Sequence, residues 1–435
     1  MPVTYPDVLE IAPVTRPIEA IARIPGSKSI TNRALLIAAL AEGESVLIGA
    51  LFSDDTRYMA EALAALGIAV ESDEAAEQFA VHGLGGSFPA SEADLFVGNS
   101  GTTMRFLTAA VALGHGRYRV DGIPRMRQRP IQPLIDALND LGSCVSSEAG
   151  NGCPPVVVEA NGLRGGRVAV AGETSSQYFT ALQIAGPYAE QGIEIDVIGD
   201  LVSKPYMSIT ASVMAAFGVE IALDQEHWRT TRIAPGQRYQ ARRYQIEPDA
   251  SNASYFFAAA AVTGGRIRVD GLGSGSAQGD LRFVDVLAEM GARVTIAEDH
   301  VEVVGPPVGE LRGVDVDMNA ISDTAQTLAA IAPFARGPTT IRGVEHMRHK
   351  ETDRVAALAT ELRRLSQEVE ERPDGLTIHP APVQPAAIET YDDHRMAMSF
   401  TIAALGAPGI RILDPGCVAK TFPAFFARLR EVIEN

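Results

Sequence analysis

The sequence has few cysteines, a single tryptophan and no long uninterrupted apolar run. Its three cysteines, Cys144, Cys153 and Cys417, are widely spaced and form no C-x-x-C pair. This spacing argues against a zinc or redox motif and indicates reduced thiols in a cytosolic protein. No window approaches the roughly 20 apolar residues of a membrane span. The N-terminal stretch MPVTYPDVLEIAPV lacks the basic start and apolar run of a secretory signal or basic transit peptide, so we expect neither.

Positive charge is also scarce. The chain has 37 Lys and Arg against 54 Asp and Glu, which gives a formal net charge of −17 over 435 residues. This balance argues against a dedicated nucleic-acid binder, because such proteins hold phosphate backbones with clustered Lys and Arg. Hydrophobic residues make up 46% of the chain, which excludes a disordered or fibrous protein and predicts about two or three domains.

What the sequence does have is an internal repeat. A β-rich run recurs six times at intervals of roughly 70 to 80 residues. Each unit also holds an Ala-rich apolar segment of helical length, an amphipathic helical segment and further β-rich runs, which together indicate a βαβαββ-like unit. The Ala-rich helices are apolar on nearly all sides, so we expect them to be buried. The residues that end the repeated runs are Gly49, Gly122, Gly199, Gly271, Gly343 and Asp414.

The repeat predicts a mixed α/β fold of two lobes, each with three units around buried helices. Residues 27–245 hold three of the Ala-rich helices and form the first predicted lobe. Residues 246–435 hold the other three and form the second lobe, to which we expect residues 1–26 to cross.

A polar cluster precedes or opens every Ala-rich helix: SKSITNR, NSGTTMR, SSQ, DASNAS, SDT and DDHR. One interpretation is N-capping, since Ser, Thr, Asp and Asn satisfy orphan amides there. The other is an anion site, if the helix starts converge. Basic residues are dense in the same loops, although each alone could be a solvated surface charge. These residues are Lys28, Arg33, Arg105, Arg125, Arg127, Arg129, Lys204, Arg348, Lys350, Arg354, Arg395 and Lys420.

Asp323 and Glu351 are the carboxylates of interest. A carboxylate among several cations stays ionised at neutral pH, and takes a proton when a substrate supplies further negative charge. Two structural alternatives remain open at this point. Asp323 could simply cap a helix, and Glu351 could be an ordinary acid in a first helical turn.

Other motifs fit less well. PGSKS lacks the Gly immediately before Lys that a phosphate-binding P-loop requires, because Ser27 stands there. GLGSGSAQG does not match the dinucleotide fingerprint. His346, His349 and His394 could suggest a metal, but no H-E-x-x-H motif occurs and their Arg and Lys neighbours repel cations.

At these motifs the chain resembles the enolpyruvyl transferases, and specifically the members that use a phosphorylated shikimate. The resemblance covers nearly the whole chain, through PGSKSITNRALLIAALAEG, GNSGTTMRFL, DGIPRMRQRPI, SSQYFTAL, DLVSKPY, DASNASYF, QGD, SDTAQT, RHKETDR, YDDHRMAM and CVAKTFP. It implies a two-domain inverted α/β barrel with three βαβαββ units per domain and an active site in the interdomain cleft. It also implies a cytoplasmic enzyme of the shikimate pathway, expected to be a monomer, that needs no metal or organic cofactor.

The implied reaction transfers the enolpyruvyl group of phosphoenolpyruvate to the 5-hydroxyl of shikimate 3-phosphate through a tetrahedral intermediate. By motif, Asp323 is expected to accept the hydroxyl proton, and Glu351 to donate a proton to the methylene carbon and later remove one. Lys28 is expected to stabilise the phosphate, and its share in proton transfer is left open. Closure of the lobes around Pro25, Gly26 and the 245–248 crossing would exclude water.

The resemblance also implies two sets of binding residues. The phosphoenolpyruvate set is Lys28, Asn99, Gly101, Thr102, Arg125, Gln177, Arg354, His394, Arg395 and Lys420. The shikimate 3-phosphate set is Lys28, Ser29, Arg33, Ser175, Ser176, Gln177, Ser203, Tyr206, Asp323, His346 and Lys350.

Two positions depart from the common family pattern: Phe106 stands where many members have Pro, and His346 where many have Asn. The nearest rival function is that of a UDP-N-acetylglucosamine 1-carboxyvinyltransferase, which typically has Lys-Asn where this chain has Lys28 and Ser29. Proteins related to the RNA 3′-phosphate cyclases are a second rival, which the net charge opposes. A silent repeat scaffold is a third, but it would not explain so many charged residues at helix starts.

Overall fold

The computed structural model describes residues 5–434. The chain divides into two compact units. The inserted unit is Gly26–Ile246, and the terminal unit combines the described residues before Gly26 with those from Glu247 onward. None of the helices in the described part is long and apolar enough to cross a membrane.

The inserted unit contains three sheets of four strands and six α-helices. Its strands are β3 (Glu42–Ile48), β4 (Ala69–Asp73), β5 (Gln78–Leu84), β6 (Glu92–Phe96), β7 (His115–Asp121), β8 (Cys144–Ser147), β9 (Val156–Asn161), β10 (Gly166–Ala171), β11 (Ile193–Ile198), β12 (Ala222–Leu223), β13 (Thr230–Ile233) and β14 (Arg243–Gln245). Its helices are α1 (Lys28–Leu40), α2 (Asp54–Ala65), α3 (Gly101–Val111), α4 (Gln132–Asp140), α5 (Gln177–Ala185) and α6 (Pro205–Ala216).

The terminal unit contains two sheets of four strands, one of three strands and six further α-helices. Its strands are β1 (Val8–Glu10), β2 (Glu19–Ile21), β15 (Arg266–Asp270), β16 (Arg293–Ile296), β17 (His300–Val304), β18 (Asp315–Asp317), β19 (Thr339–Arg342), β20 (Glu368–Arg372), β21 (Gly375–His379), β22 (Ala386–Ile388) and β23 (Ile410–Leu413). Its helices are α7 (Ala250–Thr263), α8 (Phe283–Glu289), α9 (Ala325–Ile331), α10 (Arg354–Arg364), α11 (His394–Gly406) and α12 (Phe425–Glu434).

The five four-stranded sheets share one topology. In β6-β7-β9-β8 the first two strands are parallel and the last two form antiparallel pairs, so the chain runs β6, α3, β7, α4, β8, β9. The same order recurs in β10-β11-β13-β12 and β18-β19-β21-β20. The predicted mixed α/β fold of six repeat units is therefore confirmed. Each sheet in the described residues is open, because it keeps two edge strands that pair on one side only. None of these sheets closes into a barrel.

Strands from distant parts of the sequence complete three of the units. The first unit takes its parallel strand from β14, which pairs with β3. The fourth takes its parallel strand from β2, which pairs with β15. In the sixth unit β1 pairs antiparallel with β23, the neighbour of β22. The segment before residue 26 thus supplies one strand to each of two sheets of the terminal unit.

The Ala-rich helices are buried, as their composition predicts. Every residue of α7 and α9 is buried, and so is every residue of α11 except Gly406. Within the terminal unit these three helices contact one another, and within the inserted unit α3 contacts both α1 and α5. Helices that are apolar all round need such enclosure, because they offer no polar face to water.

The capping interpretation holds for four of the six Ala-rich helices. Ser27, Ser100, Asp249 and Asp393 accept a hydrogen bond from a backbone N–H in the first turn of α1, α3, α7 and α11. The N-cap residues of α5 and α9, Ser176 and Thr324, make no such side-chain bond, although the preceding Ser175 accepts the Gln177 N–H at the start of α5. Capping therefore explains some polar residues of these clusters and leaves others to be explained by the site.

The repeated chain reversals explain why Asp414 replaces a glycine. Gly49, Gly199, Gly271 and Gly343 follow their strands with φ between 66° and 80°, and Asp414 adopts the same left-handed region with φ 45°. Aspartate tolerates this conformation better than most side chains, because its carboxylate can bond locally.

Candidate active site

Asp323 lies at the centre of a charged cluster in the terminal unit. Its Oδ1 accepts hydrogen bonds from Lys350 Nζ at 2.6 Å and Arg354 Nη1 at 3.3 Å, and its Oδ2 accepts one from Arg395 Nη2 at 2.8 Å. It occupies the turn Asn319–Thr324 that precedes α9, and the N-cap residue of that helix is Thr324 and not Asp323. The capping alternative for Asp323 is therefore wrong.

Glu351 is the second carboxylate of the cluster. Its Oε2 lies 2.8 Å from Arg354 Nη2, and its Oε1 lies 3.7 Å from Lys420 Nζ. The side chain is buried. The residue stands before α10, whose N-cap is Asp353, so Glu351 is not a first-turn acid of that helix. Asp323 and Glu351 thus contact the same guanidinium, one on each terminal nitrogen.

Arg354 is held from a third side by Asp393, a residue that the motif comparison did not assign. Its Nε and Nη2 donate to the two oxygens of Asp393 at 2.8 and 3.2 Å. The Arg354 side chain is 1% exposed and that of Asp393 is 0% exposed. Burial alone would lower the pKa of Arg354, but Asp393, Glu351 and Asp323 outweigh it and hold the pKa above its ordinary value. The sequence signal for Asp393 was its place directly before His394 and Arg395.

Two buried histidines border the cluster. His346 Nε2 lies 3.0 Å from Ser322 Oγ, and burial followed by the charge of Lys350 lowers the pKa of His346 to about 3. Burial and then Arg395 lower the pKa of His394 well below its ordinary value. Both rings are therefore neutral at pH 7, and neither adds to the positive charge of the cluster.

The pKa of His346 leads to a prediction about acid stability. The unfolded state binds a proton near pH 6.5 while the folded state resists protonation down to about pH 3, so stability falls as the pH drops through this window. Between these pH values the free energy of unfolding should fall by about 1.4 kcal/mol per pH unit because of His346, and we expect His346→Asn to abolish this contribution. Urea unfolding at several pH values measures the slope of the free energy of unfolding against pH. The exposed His227→Asn should leave it unchanged, and an unaltered slope in His346→Asn would contradict the assignment.

Asp280 is a further buried carboxylate in the same unit, and its Oδ2 accepts a hydrogen bond from the Ser251 hydroxyl. Burial and the neighbouring charge of Asp323 raise the pKa of Asp280 to about 6, against the opposing effect of Arg395. The motif QGD contains this residue, but the sequence alone gave it no role.

Neutralising Asp280 should stabilise the protein at neutral pH. Because its folded pKa lies above the unfolded value of 3.8, the stability it contributes is present in acid and lost as the pH rises through about 6. We expect Asp280→Asn to gain up to about 3 kcal/mol at pH 8 and little at pH 4. Urea unfolding at the two pH values, with the half-exposed Asp285→Asn as control, measures this gain in the free energy of unfolding. A gain that is equal at both pH values would show that another interaction is responsible.

In the inserted unit Lys28 is the first residue of α1. Its Nζ lies 3.5 Å from Asp55 Oδ2, and the Asp55 side chain is almost fully buried. The start of α1 therefore places this ammonium group beside a fixed carboxylate, which limits where the side chain can reach.

Arg33 is enclosed one turn further along α1. Its guanidinium donates to four neutral oxygens: Thr210 Oγ1 at 2.8 Å, the Ser29 carbonyl at 2.9 Å, Thr180 Oγ1 at 3.3 Å and the Tyr206 carbonyl at 3.2 Å. It also lies 5.2 Å from the Phe106 ring centroid. Burial lowers the pKa of Arg33 to about 10, so the side chain remains a cation at pH 7. The unusual Phe106 thus packs against a charged side chain.

Ser203 belongs to the same neighbourhood. It adopts φ 53°, and its carbonyl accepts the N–H of Tyr206 at 3.1 Å. The structure therefore brings together Ser29, Arg33, Ser203 and Tyr206, all of which the resemblance assigns to shikimate 3-phosphate.

The starts of α3 and α5 form another group. Gln177 Nε2 donates to Thr102 Oγ1 at 3.2 Å, and the Gln177 backbone N–H donates to Ser175 Oγ at 3.2 Å. Ser176 is the residue before α5. Arg125 lies on the loop after β7 and donates to Gln128 at 3.3 Å.

Two buried arginines that the motifs did not assign contact the start of α3 and the residue pair before it. Arg129 Nη1 donates to the carbonyl and side-chain oxygens of Asn99 at 2.9 and 3.1 Å. Arg105 Nη1 donates to the Gly101 carbonyl at 3.1 Å. A Cβ on Gly101 would lie 2.5 Å from each guanidinium, so the close approach of both arginines requires glycine.

Comparison with solved structures first defines the class. The fold matches an EPSP synthase from Acinetobacter baumannii with a TM-score of 0.80 at 24% identity, over 98% of both chains. It matches the enolpyruvyl transferase NikO from Streptomyces tendae with a TM-score of 0.76 at 20% identity, over 98% of this chain and 97% of that one. The fold is therefore that of the enolpyruvyl transferases.

Sequence comparison narrows this class to a family. The model of the EPSP synthase (3-phosphoshikimate 1-carboxyvinyltransferase) family matches residues 14–429. A 3-phosphoshikimate 1-carboxyvinyltransferase from Nostoc punctiforme is 52% identical over 99% of this chain and 100% of its own length. A chloroplastic one from Brassica napus is 47% identical over 97% of this chain and 84% of its own length. The chain belongs to the EPSP synthase family, and the resemblance predicted from the motifs is confirmed.

Proposed function

We propose that this chain transfers the carboxyvinyl group of phosphoenolpyruvate to the 5-hydroxyl of shikimate 3-phosphate. The products are 5-enolpyruvylshikimate 3-phosphate and phosphate, on the route to chorismate and the aromatic amino acids. Family membership supports this activity. The observation that carries the mechanism is the pair of carboxylates, Asp323 and Glu351, on opposite nitrogens of the buried Arg354.

The two carboxylates suit the three proton transfers of an addition and elimination. Asp323 accepts the proton of the 5-hydroxyl while the oxygen of that hydroxyl bonds to C2 of phosphoenolpyruvate. Glu351 supplies a proton to C3, and later removes one as the C2–O bond to phosphate breaks. Positioned acids and bases of this kind contribute typically 10²–10⁴-fold each. Lys28 stabilises the departing phosphate.

The cations of the terminal unit suit phosphoenolpyruvate, which carries a carboxylate and a phosphate. Guanidinium forks match such groups in a bidentate way, and ammonium groups act as point charges. We assign Arg354, Arg395 and Lys420 to this substrate, with the neutral His394 beside them. From the inserted unit we assign to it Lys28, Asn99, Gly101, Thr102, Arg125 and Gln177.

Arg33 supports the assignment of shikimate 3-phosphate. All four of its hydrogen bonds go to neutral oxygens, so its charge is solvated by dipoles and remains available to attract an anion. We assign this substrate to Ser29, Arg33, Ser175, Ser176, Gln177, Ser203 and Tyr206 in the inserted unit, with Lys28 shared between the substrates, and to Asp323, His346 and Lys350 in the terminal unit.

Phosphate release tests the proposal. The purified protein is incubated with phosphoenolpyruvate and shikimate 3-phosphate together, with each alone, and with phosphoenolpyruvate and UDP-N-acetylglucosamine. We expect release with the first pair and none in the other mixtures. Release with UDP-N-acetylglucosamine instead would assign the chain the activity of a UDP-N-acetylglucosamine 1-carboxyvinyltransferase. No release in any mixture would refute carboxyvinyl transfer altogether.

Three further expectations stay predictions. The cytoplasmic location is supported by the three free cysteines, since disulfides are rare in that compartment. The monomeric state, and the assignment of one active site to the cleft between the predicted lobes 27–245 and 246–435, rest on the family resemblance.

A further inference from the structure

Glu361 is a fully buried carboxylate outside the substrate-binding set. It lies in the interior of α10, two turns after Arg354, and its side chain is 0% exposed. Its Oε1 accepts a hydrogen bond from the Tyr391 hydroxyl at 2.6 Å, and its Oε2 accepts one from the backbone N–H of Glu389 at 3.1 Å. The half-exposed Arg364 lies 3.4 Å from Oε1. Burying an ionised carboxylate is costly unless such donors satisfy it.

Both donors that come from beyond α10 belong to the segment leading into α11. Within this segment Tyr391 has φ 56° and Asp392 has φ 53°. Two consecutive non-glycine residues in the left-handed region are unfavourable, and persist where the surroundings fix them. The bond from the Asp393 N–H to the Thr390 carbonyl at 2.9 Å closes this turn from inside, and Glu361 holds it from outside.

The turn determines where α11 begins. Asp393 follows it directly, caps the helix by accepting the Arg395 N–H at 2.9 Å, and binds Arg354 through both carboxylate oxygens. Arg395 in turn reaches Asp323 at 2.8 Å. A shift of the turn would therefore move both arginines that we assign to phosphoenolpyruvate.

We propose that Glu361 is a positioning residue for carboxyvinyl transfer, acting through Tyr391 to fix Asp393, Arg354 and Arg395. This inference rests on the proposed function, because it takes Arg354 and Arg395 as ligands of phosphoenolpyruvate. Glu361 joins the two elements that carry them, since Arg354 begins α10 and Arg395 lies in the first turn of α11.

The chemistry of the pair explains why a carboxylate is needed. Both groups that reach Glu361 from the α11 side are donors, so both of its oxygens must accept. Burial and the bond to Glu361 raise the pKa of Tyr391 to about 12, so its hydroxyl keeps its proton throughout the working pH range. A glutamine of the same size would turn one acceptor into a donor and lose one of the two bonds.

Steady-state kinetics of Glu361→Gln, Tyr391→Phe and the double variant test the proposal. We expect each single variant to raise the KM for phosphoenolpyruvate about ten-fold, with kcat reduced less. The double variant should lose less than the product of the two single effects, because Glu361 and Tyr391 act through the contact between their side chains. The affinity for shikimate 3-phosphate, measured by calorimetry, should stay within about two-fold of wild type. Tyr118→Phe, which removes a hydroxyl bonded to the Ala90 carbonyl in the inserted unit, is the matched control.

Two results would overturn the inference. One is a KM for phosphoenolpyruvate within two-fold of wild type in both single variants. The other is a parallel loss of shikimate 3-phosphate affinity and thermal stability, which would reveal a general structural role. Wild-type protein without carboxyvinyl transfer would instead refute the proposed function, so the two failures are distinguishable.

Discussion

Glu351→Gln is expected to lower kcat by about 10²–10⁴-fold while shikimate 3-phosphate still binds. Glutamine keeps the size of the side chain and can still accept from Arg354, but it can neither donate an acidic proton to the methylene carbon nor remove one. Because the loss lies in a proton transfer and not in binding, it should appear in kcat and leave the calorimetric affinity nearly unchanged.

The control for this variant is Glu345→Gln, which changes an exposed acid a few residues earlier in the same segment. It should turn over at the wild-type rate. If Glu351→Gln retained more than about a tenth of the wild-type kcat, Glu351 would not be the proton donor to carbon.

Asp323→Asn is expected to lower kcat by a similar factor, but with a different effect on binding. The substitution removes the base for the 5-hydroxyl and also removes a negative charge that lies within hydrogen-bonding distance of Lys350, Arg354 and Arg395. Those cations should then attract an anionic substrate at least as strongly as before. We therefore expect a loss of about 10²–10⁴-fold in kcat together with an equal or tighter affinity for shikimate 3-phosphate.

Asp315→Asn is the matched control, because this carboxylate also pairs with an arginine of the terminal unit but is exposed. Calorimetry and stopped assays on both variants measure the two effects. Weaker shikimate 3-phosphate binding with unchanged kcat would mean that Asp323 is a structural anchor and not the base.

The architecture was predictable because it repeats. Four of the five glycines that end the repeated runs adopt the left-handed backbone region, and Asp414 adopts it at the sixth position. Composition likewise predicted the burial of α7, α9 and α11, since an Ala-rich helix has no polar face to expose.

The charged site was predictable only in part. Motifs pointed to Asp323 and Glu351, but periodicity could not show that both would contact Arg354. Asp323 reaches it from a separate element, and Glu351 stands three residues before it, outside the regular spacing of α10. Asp393 resembled a simple cap in the sequence, and it is one, yet the same carboxylate also binds Arg354. A local pattern reports the first role and carries no information on the second.

Glu361 shows the same limit more sharply. In the sequence it is one acid in the amphipathic segment ATELRRL, where a charged side chain normally faces water. In the structure it is buried and accepts bonds from Tyr391 and Glu389, and both donors lie about 30 residues further along the chain.

Net charge is equally uninformative about the site. The total of −17 conceals a cluster in which four cations lie close to Asp323 and Glu351, namely Lys350, Arg354, Arg395 and Lys420.

The most direct test of the account is the transfer reaction run in D₂O with unlabelled substrates and analysed by mass spectrometry. If Glu351 adds a solvent-derived deuteron to C3 and a hydrogen is then lost from the resulting methyl group, the vinyl methylene of the product acquires deuterium. The account predicts 5-enolpyruvylshikimate 3-phosphate with substantial deuterium in that group, formed in step with phosphate release. A product without deuterium, or phosphate released without an enol ether product, would contradict it.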